Sequence, residues 1–229
     1  MDREIILTRD GSHSVSVTGT EVSYHSRFGA ITESSLVYIA AGLRYALLVK
    51  PRLVIFELGF GTGLNALLSL IEIEQGDQEI SYRAIEPFPL PDPFIFSLNY
   101  CTRLQRPDLQ EVFVRMHQVP WDRPVTVTPR FHLEKWVSVL ESYDPGEEKV
   151  DLVYYDAFSP NEQPGLWTGE AFGKIFAMMS DGAVLVTYCS KGEVRRRLQA
   201  CGFLVEKLPG PPGKREMIRA IKPGLLARG

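Results

Sequence analysis

Three carboxylates each stand at the end of an apolar, β-prone run: Glu57 in "LVIFELGFGTG", Glu86 in "ISYRAIE" and Asp156 in "VDLVYYDAFSP". A carboxylate at the edge of a core must be solvated, paired or protonated. Acids at strand ends therefore mark places where the chain leaves its core to meet something polar. In an open α/β sheet, ligands bind beyond the carboxyl ends of the strands. The three acids are expected to line one such edge.

Glu57 precedes Gly59, Gly61 and Gly63. Glycines between a strand and a helix let the backbone turn tightly and approach a ligand. A dinucleotide fingerprint reads G-x-G-x-x-G and seats a pyrophosphate on the helix N-terminus. Here the spacing is G-x-G-x-G, and Glu57 would oppose a pyrophosphate. The α-amino group and sulfonium of S-adenosylmethionine suit that charge better. Glu86, at the second strand end, can accept hydrogen bonds from both ribose hydroxyls of either cofactor. Asp156 is followed by Phe158 and Pro160. A ring and a proline make a rigid, partly dry floor, on which a base stacks while Asp156 addresses an amine. The plainer reading is a structural glycine turn with two solvated acids, and Asp156 as the cap of the following turn. Asp156 is expected on an exposed rim, where its charge contributes little to stability.

The elements that must position these residues are visible in the pattern. "EIILTRDGSHSVSV" reads as a hairpin about Asp10-Gly11. Glu33 to Val49 reads as a helix ended by Pro51. Leu53 to Leu58 is a strand, with a helix from about Leu64. "ISYRAIE", "RFHLEKW", "VDLVYYD" and "GAVLVTYC" are further strands, and "GEAFGKIFAMM" and "KGEVRRRLQACG" further helices. "FLVEKL" and "REMIRAIK" form a closing antiparallel pair around "PGPPGK". Strands alternating with helices imply a mostly parallel sheet covered on both faces. Residues 1–50 are expected as a hairpin and helix packed on a core of residues 51–229, with a proline-rich helical insertion at 87–128, in one compact domain.

Composition narrows the classes. The chain has 229 residues, 45% hydrophobic and 23% charged, which suits a globular protein and disfavours a disordered one. The net charge of −3 gives no global basic character, yet a local basic face can hide in an acidic total. Three cysteines without a CxxC pair and four scattered histidines give no disulfide framework and no metal-ligand spacing. The charged N-terminus has no secretory h-region, and the Leu36–Val49 run is broken by Arg44 and too short to span a bilayer. A cytoplasmic location without membrane contact is expected. Lys191 and Arg195, with Arg196 and Arg197, cluster on or before one helix, and Lys214 and Arg215 follow "PGPPG". Such runs are ordinarily solvated faces; an RNA substrate would make them phosphate contacts.

The chain resembles the 5-methylaminomethyl-2-thiouridine tRNA methyltransferases, both the stand-alone type and the N-terminal half of the bifunctional type. The likeness is carried by "TRDGSHSV", "YHSRFGAITES", "FELGFGTGLNA", "IEPFPL", "YYDAFSPNEQPGLW", "VLVTYCSKGEVRRRLQACGF" and "LPGPPGKREM". The glycine turn is common to many methyltransferases; Asp-Ala-Phe-Ser-Pro with Pro-x-x-Trp and Gly-Lys-Arg-Glu-Met is far more specific. The resemblance implies a Rossmann-like class I S-adenosylmethionine-dependent methyltransferase that methylates the aminomethyl group of a tRNA wobble uridine. It implies cofactor positions at Glu57, Gly59, Gly61, Gly63, Asn65 and Glu86. It puts Asp156 near the transferred methyl and the target amine, with Phe158 and Pro160 beside it. Lys191, Arg195, Lys214 and Arg215 become candidate tRNA contacts. Bifunctional relatives carry a flavin-dependent oxidase domain. With the chain ending at Gly229, that activity is expected to be absent and the amine to be made by another enzyme. One departure concerns adenine: "FHLEKWVSVL" has no aspartate after the third strand, leaving backbone groups or Glu134 for that role. The competing functions are an aminopropyltransferase of the spermidine synthase type, an NAD-dependent oxidoreductase and a catalytically silent RNA-binding module.

Overall fold

The computed structural model describes residues 2–224. Strands β1 (Arg3–Leu7) and β2 (His13–Val17) form an antiparallel hairpin, with Arg3 opposite Val17 and Leu7 opposite His13. Asp10 in its turn accepts hydrogen bonds from Ser12, Thr8 and, across the fold, from the backbone and hydroxyl of Thr32 at 2.9 Å each. Burial alone would raise its pKa, but these donors outweigh burial and lower it to about 2. The bonds fasten the hairpin to the helical run 30–47, which comprises α1 (Ala30–Ser34), a π-wound segment Ser35–Leu43 and α2 (Arg44–Leu47). The sequence pattern predicts a plain helix three residues later at its start. It does not reveal the π winding of Ser35–Leu43. Gly42 lets the run pack close to the sheet, since a Cβ there would lie 2.9 Å from Val186.

The core then alternates. β3 (Arg52–Leu58), α3 (Leu64–Ile73) and β4 (Glu79–Ile85) come first. Short helices α4 (Asp92–Ser97), α5 (Tyr100–Arg103) and α6 (Gln110–Gln118) lie within 87–128. The end of that stretch is a strand instead of a helix or loop. β5 (Val125–Thr128) pairs antiparallel with β6 (Phe131–Trp136). Its Val-Thr alternation has the β-branched character of a strand, which the flanking prolines obscure. β7 (Val150–Tyr155), α7 (Gly169–Met178), β8 (Met179–Thr187), α8 (Gly192–Ala200), β9 (Leu204–Pro209) and β10 (Glu216–Ile221) complete the order.

The eight-stranded sheet runs β5-β6-β4-β3-β7-β8-β10-β9. β6, β4, β3, β7 and β8 are mutually parallel, and β10 is antiparallel to β8 and β9. From β3 the chain first builds outward through β4 and β6, then returns to place β7 on the other side. The strand order therefore reverses between β3 and β7, the point at which such sheets open a ligand crevice. Alternate residues of β3 serve opposite layers: Leu53 and Ile55 join the core under the 30–47 run and α3, while Phe56 and Leu58 join the core under α7 and α8. Burial on both faces explains why β7 is apolar at nearly every position. Among the described residues, no helix is long and apolar enough to cross a membrane.

Candidate active site

A cavity of 550 Å³ opens beyond the carboxyl ends of β4, β3 and β7. Its wall includes Gly59 and Gly61 of the glycine turn, Glu86, Ser138 to Glu141 after β6, and Asp156 to Phe158 after β7. The segment after the N-terminal hairpin crosses above and adds Tyr24 and His25. Gly59, Gly61 and Gly63 all adopt positive φ. At Gly59 a Cβ would also lie 3.0 Å from the backbone oxygen of Asp156. Only glycine lets β3 turn away this close to its neighbour.

Glu86 lies on the wall and is held by its own surroundings. One carboxylate oxygen accepts the Gly61 N–H at 3.0 Å and the other the Phe88 N–H at 2.9 Å. Burial raises its pKa more than these bonds lower it. Asp156 is more tightly fixed. The Tyr38 hydroxyl donates to Oδ1 at 2.5 Å and the Asn65 amide to Oδ2 at 2.8 Å. Burial, opposed by those two bonds and by Lys214, lifts its pKa to about 7. Asp156 is thus a half-buried, hydrogen-bonded group, not the exposed rim carboxylate expected from its turn.

Glu57 and Asn65 form the layer behind. Glu57 is only 1% exposed and does not reach the cavity. Its Oε1 accepts the Asn65 amide at 2.8 Å. Burial first, then the charge of Asp156, holds its carboxyl well above the usual range. Asn65 lies on the wall and spans the two acids, since only its NH2 group can donate to both. Gly63 also sits off the cavity, against His117, where it begins α3.

The Asp-Ala-Phe-Ser-Pro turn has a stapled geometry. Phe158 donates its N–H to Gln163 at 3.0 Å and accepts the indole N–H of Trp167 at 2.8 Å. Those bonds explain the downstream Gln-Pro-Gly-Leu-Trp. The Phe158 ring faces the cavity and meets Tyr24 edge-on at 5.3 Å. Pro160 points elsewhere, into a separate shallow groove beside Pro164, Thr168 and Arg197.

The four basic candidates divide. Lys191 is exposed and donates to Asn161 at 2.8 Å. Arg215 is exposed, and Arg195 is half-buried with its Nε unpartnered. Lys214 turns inward to form an ion pair with buried Glu33, its ammonium 3.7 Å from the Tyr188 ring centroid. The Tyr188 hydroxyl donates to the carbonyl of Ala157 at 2.9 Å. Lys214 is therefore part of the frame around the Asp156 turn.

Sequence reasoning missed the N-terminal wall. Tyr24 packs over Gly61, where a Cβ would approach its ring to 3.1 Å. His25 lies on the wall beside Ser14, at 2.9 Å, and burial lowers its pKa to about 4, so it is neutral. Glu134 faces Arg83 at 3.9 Å and not the cavity; the acid on that side is Glu141. The signal for Tyr24 and His25 was the "YHSRFG" motif itself, whose partners lie far along the chain.

The donor set fits S-adenosylmethionine. The wall carries four carboxyl groups, Glu86, Glu141, Asp156 and Glu162, against the single guanidinium of Arg3. That balance suits a sulfonium and an ammonium and opposes a pyrophosphate. Asn65 Oδ1, on a residue of the wall, is a buried acceptor without a partner. The volume lies within the roughly 300–1,000 Å³ usual for cofactor sites. Among the described residues, no group of His, Cys, Asp or Glu side chains could hold a metal ion.

Comparison with known proteins agrees. Residues 116–223 match the family described as S-adenosyl-L-methionine-dependent methyltransferase. The tRNA 5-methylaminomethyl-2-thiouridine biosynthesis bifunctional protein MnmC of Pseudoalteromonas atlantica is 29% identical over 217 residues, covering 86% of this chain and 30% of that protein. The MnmC of Pseudomonas fluorescens is 33% identical over 181 residues, covering 76% of this chain and 27% of that protein. The chain thus spans under a third of the length of these curated relatives. The crystal structure of MnmC2 from Aquifex aeolicus superposes with a TM-score of 0.75 at 25% identity, covering 96% of this chain and 70% of that one. Sheet order, cavity and matches together identify the chain as a class I S-adenosyl-L-methionine-dependent methyltransferase, similar to the MnmC proteins over most of its own length.

Proposed function

We propose that this protein N-methylates the aminomethyl group of 5-aminomethyl-(2-thio)uridine at the tRNA wobble position, in the cytoplasm. The observation that carries the reading is Asp156. Tyr38 and Asn65 fix its carboxyl on the cavity wall, at the reversal of strand order, beside the Phe158–Tyr24 pair. The names of the MnmC relatives supply the substrate class.

S-adenosylmethionine supplies a methyl group on a positively charged sulfur. The acceptor must present a neutral amine, so an incoming ammonium has to lose one proton. Asp156, with its pKa near 7, can take that proton in a site where a fully solvated aspartate could not hold it. Asp156 passes that proton on to water, and the regenerated carboxylate orients the neutral amine and stabilises the positive charge that grows on nitrogen. Glu86 is the wall carboxylate that would accept the ribose hydroxyls. To bind them it keeps one oxygen on Gly61 or Phe88 and turns lone pairs toward the cavity. Phe158 and Tyr24 offer aromatic surface to a pyrimidine.

The test is mass analysis of nucleosides from tRNA carrying the aminomethyl uridine, after incubation with the protein and S-adenosylmethionine. The expected product is one added methyl on that nucleoside. Cofactor binding with no methylated nucleoside would overturn the reading. Transfer from decarboxylated S-adenosylmethionine to a polyamine would assign the aminopropyltransferase alternative in its place.

A further inference from the structure

A patch outside the cavity combines an exposed ring, a stacked guanidinium and a preformed loop. Phe28 is 40% exposed. The Arg9 guanidinium lies over its ring at 4.3 Å from the centroid. The ring also packs against Gly213 of the "PGPPGK" loop, where a Cβ would approach it to 2.4 Å and where φ is +85°. A residue with a side chain is excluded there both by contact and by backbone conformation. Two segments more than 180 positions apart are thereby joined into one surface. Arg9 and Arg215 are both exposed, and among the described residues neither makes an ion pair.

Stacking engages the flat face of a guanidinium and leaves its in-plane N–H donors free. Those donors match phosphate oxygens, and the same plane, with the ring beneath it, accepts a nucleobase. The position also fits the chemistry. Gly213 adjoins Lys214, which the Glu33 ion pair and the Tyr188 ring tie to the Asp156 turn. A polyanion docked on Arg9 and Arg215 would therefore lie on the Asp156 side of the cavity. The protein's total charge of −3 does not attract RNA by itself, so the binding energy must come from local cations.

We infer that Arg9, Phe28 and Arg215 form a composite docking face for tRNA, with the arginines on phosphates and the Arg9–Phe28 stack under one base next to the target uridine. This rests on the tRNA reading above. It adds an N-terminal half to a surface for which the sequence suggests only C-terminal residues.

The experiment measures tRNA binding at several salt concentrations for the wild type, an Arg9→Ala/Arg215→Ala double variant and Phe28→Leu. S-adenosylmethionine affinity by calorimetry serves as the control for folding. The double variant is expected to bind tRNA roughly 5- to 20-fold more weakly near 0.1 M salt, with the slope of log K against log salt shallower by about 1.5–2. Phe28→Leu keeps the packing against Gly213. It is expected to weaken binding several-fold with the slope unchanged, because a stack carries no counterion release. Both should keep wild-type cofactor affinity. A double variant with wild-type slope, or a Phe28→Leu protein with wild-type affinity, overturns the composite face while leaving the methylation reading standing. A wild-type protein that binds S-adenosylmethionine but neither binds nor methylates tRNA overturns both.

Discussion

Asn65 divides its amide between Glu57 and Asp156, donating to each carboxyl at 2.8 Å. One side chain therefore couples a fully buried acid to the acid that faces the cavity. Two like charges around one amide in a dry layer cannot both ionise readily. Glu57 is the deeper, and its burial and the charge of Asp156 push its carboxyl upward, toward the neutral form. Glu57 holds Asn65, and Asn65 holds Asp156.

That arrangement separates two substitutions at Glu57. Glu57→Gln keeps an acceptor for Asn65 and replaces a neutral acid by a neutral amide. Its S-adenosylmethionine affinity and transfer rate are expected to stay within roughly threefold of wild type. Glu57→Ala removes the acceptor and leaves a buried amide hydrogen unpaired, and the rate is expected to fall at least about tenfold. Steady-state kinetics of the two variants decide the matter. Equal losses in both would show that a charge at position 57 binds the cofactor.

Asp156→Asn tests the other end of the bridge. Single-turnover methyl transfer is expected to fall roughly 10²–10⁴-fold, with cofactor affinity falling much less. Stability should also respond, contrary to the expectation for an exposed rim group. The folded pKa of Asp156 lies near 7, above the value of about 3.9 in an unfolded chain. Between those values the folded state binds more protons. Its contribution to stability is therefore present below pH 4 and is lost as pH rises through 7. Asparagine has no such loss. Thermal melts should show the variant gaining on wild type between pH 5 and pH 8. A gap in melting temperature that does not change with pH would contradict burial of the charge.

The parts of this site that were legible in sequence are those written locally. Glu86 and Asp156 interrupt apolar strands, and the three glycines sit where a strand must become a helix. Each signal lies within about ten residues of its cause. The missing parts are contacts between distant segments. Tyr38 reaches Asp156 across 118 positions, and Lys214 reaches Glu33 across 181. Nothing in "SLVYIAAG" or "PGPPGK" announces either. The same limit explains Glu57. Its place before the glycine turn suggests a cofactor ligand, whereas strand pleating decides which way it points. Glu57 pairs in register with Ala84 and Tyr154, which puts it on the face covered by α3, beneath the turn. β5 was hidden for a different reason, because prolines at 124 and 129 read as breaks on either side of a four-residue strand.

A fully buried lysine behind the glycine turn gives the last prediction. Lys135 on β6 donates to the carbonyl of His117 at 2.7 Å, near the end of α6. Its ammonium lies 4.3 Å from the Trp121 ring centroid and 5.1 Å from that of Phe60, which belongs to the turn. A carbonyl and two rings compensate a buried charge only in part, and burial lowers its pKa to about 7. The unfolded value is about 10.4. Between the two the unfolded chain binds more protons, so this group makes stability rise with pH across that window. Lys135→Met fills similar space without a charge. It loses the bond to His117 at every pH, but it is relieved of the buried ammonium only where wild type still carries one. The stability of the variant relative to wild type is therefore expected to be greatest near pH 6 and to drop by roughly 2 kcal/mol by pH 9. Urea unfolding at the two pH values measures this directly. A difference that stays constant would mean that Lys135 keeps its proton throughout, with the Phe60–Trp121 box and the His117 carbonyl stabilising the cation fully.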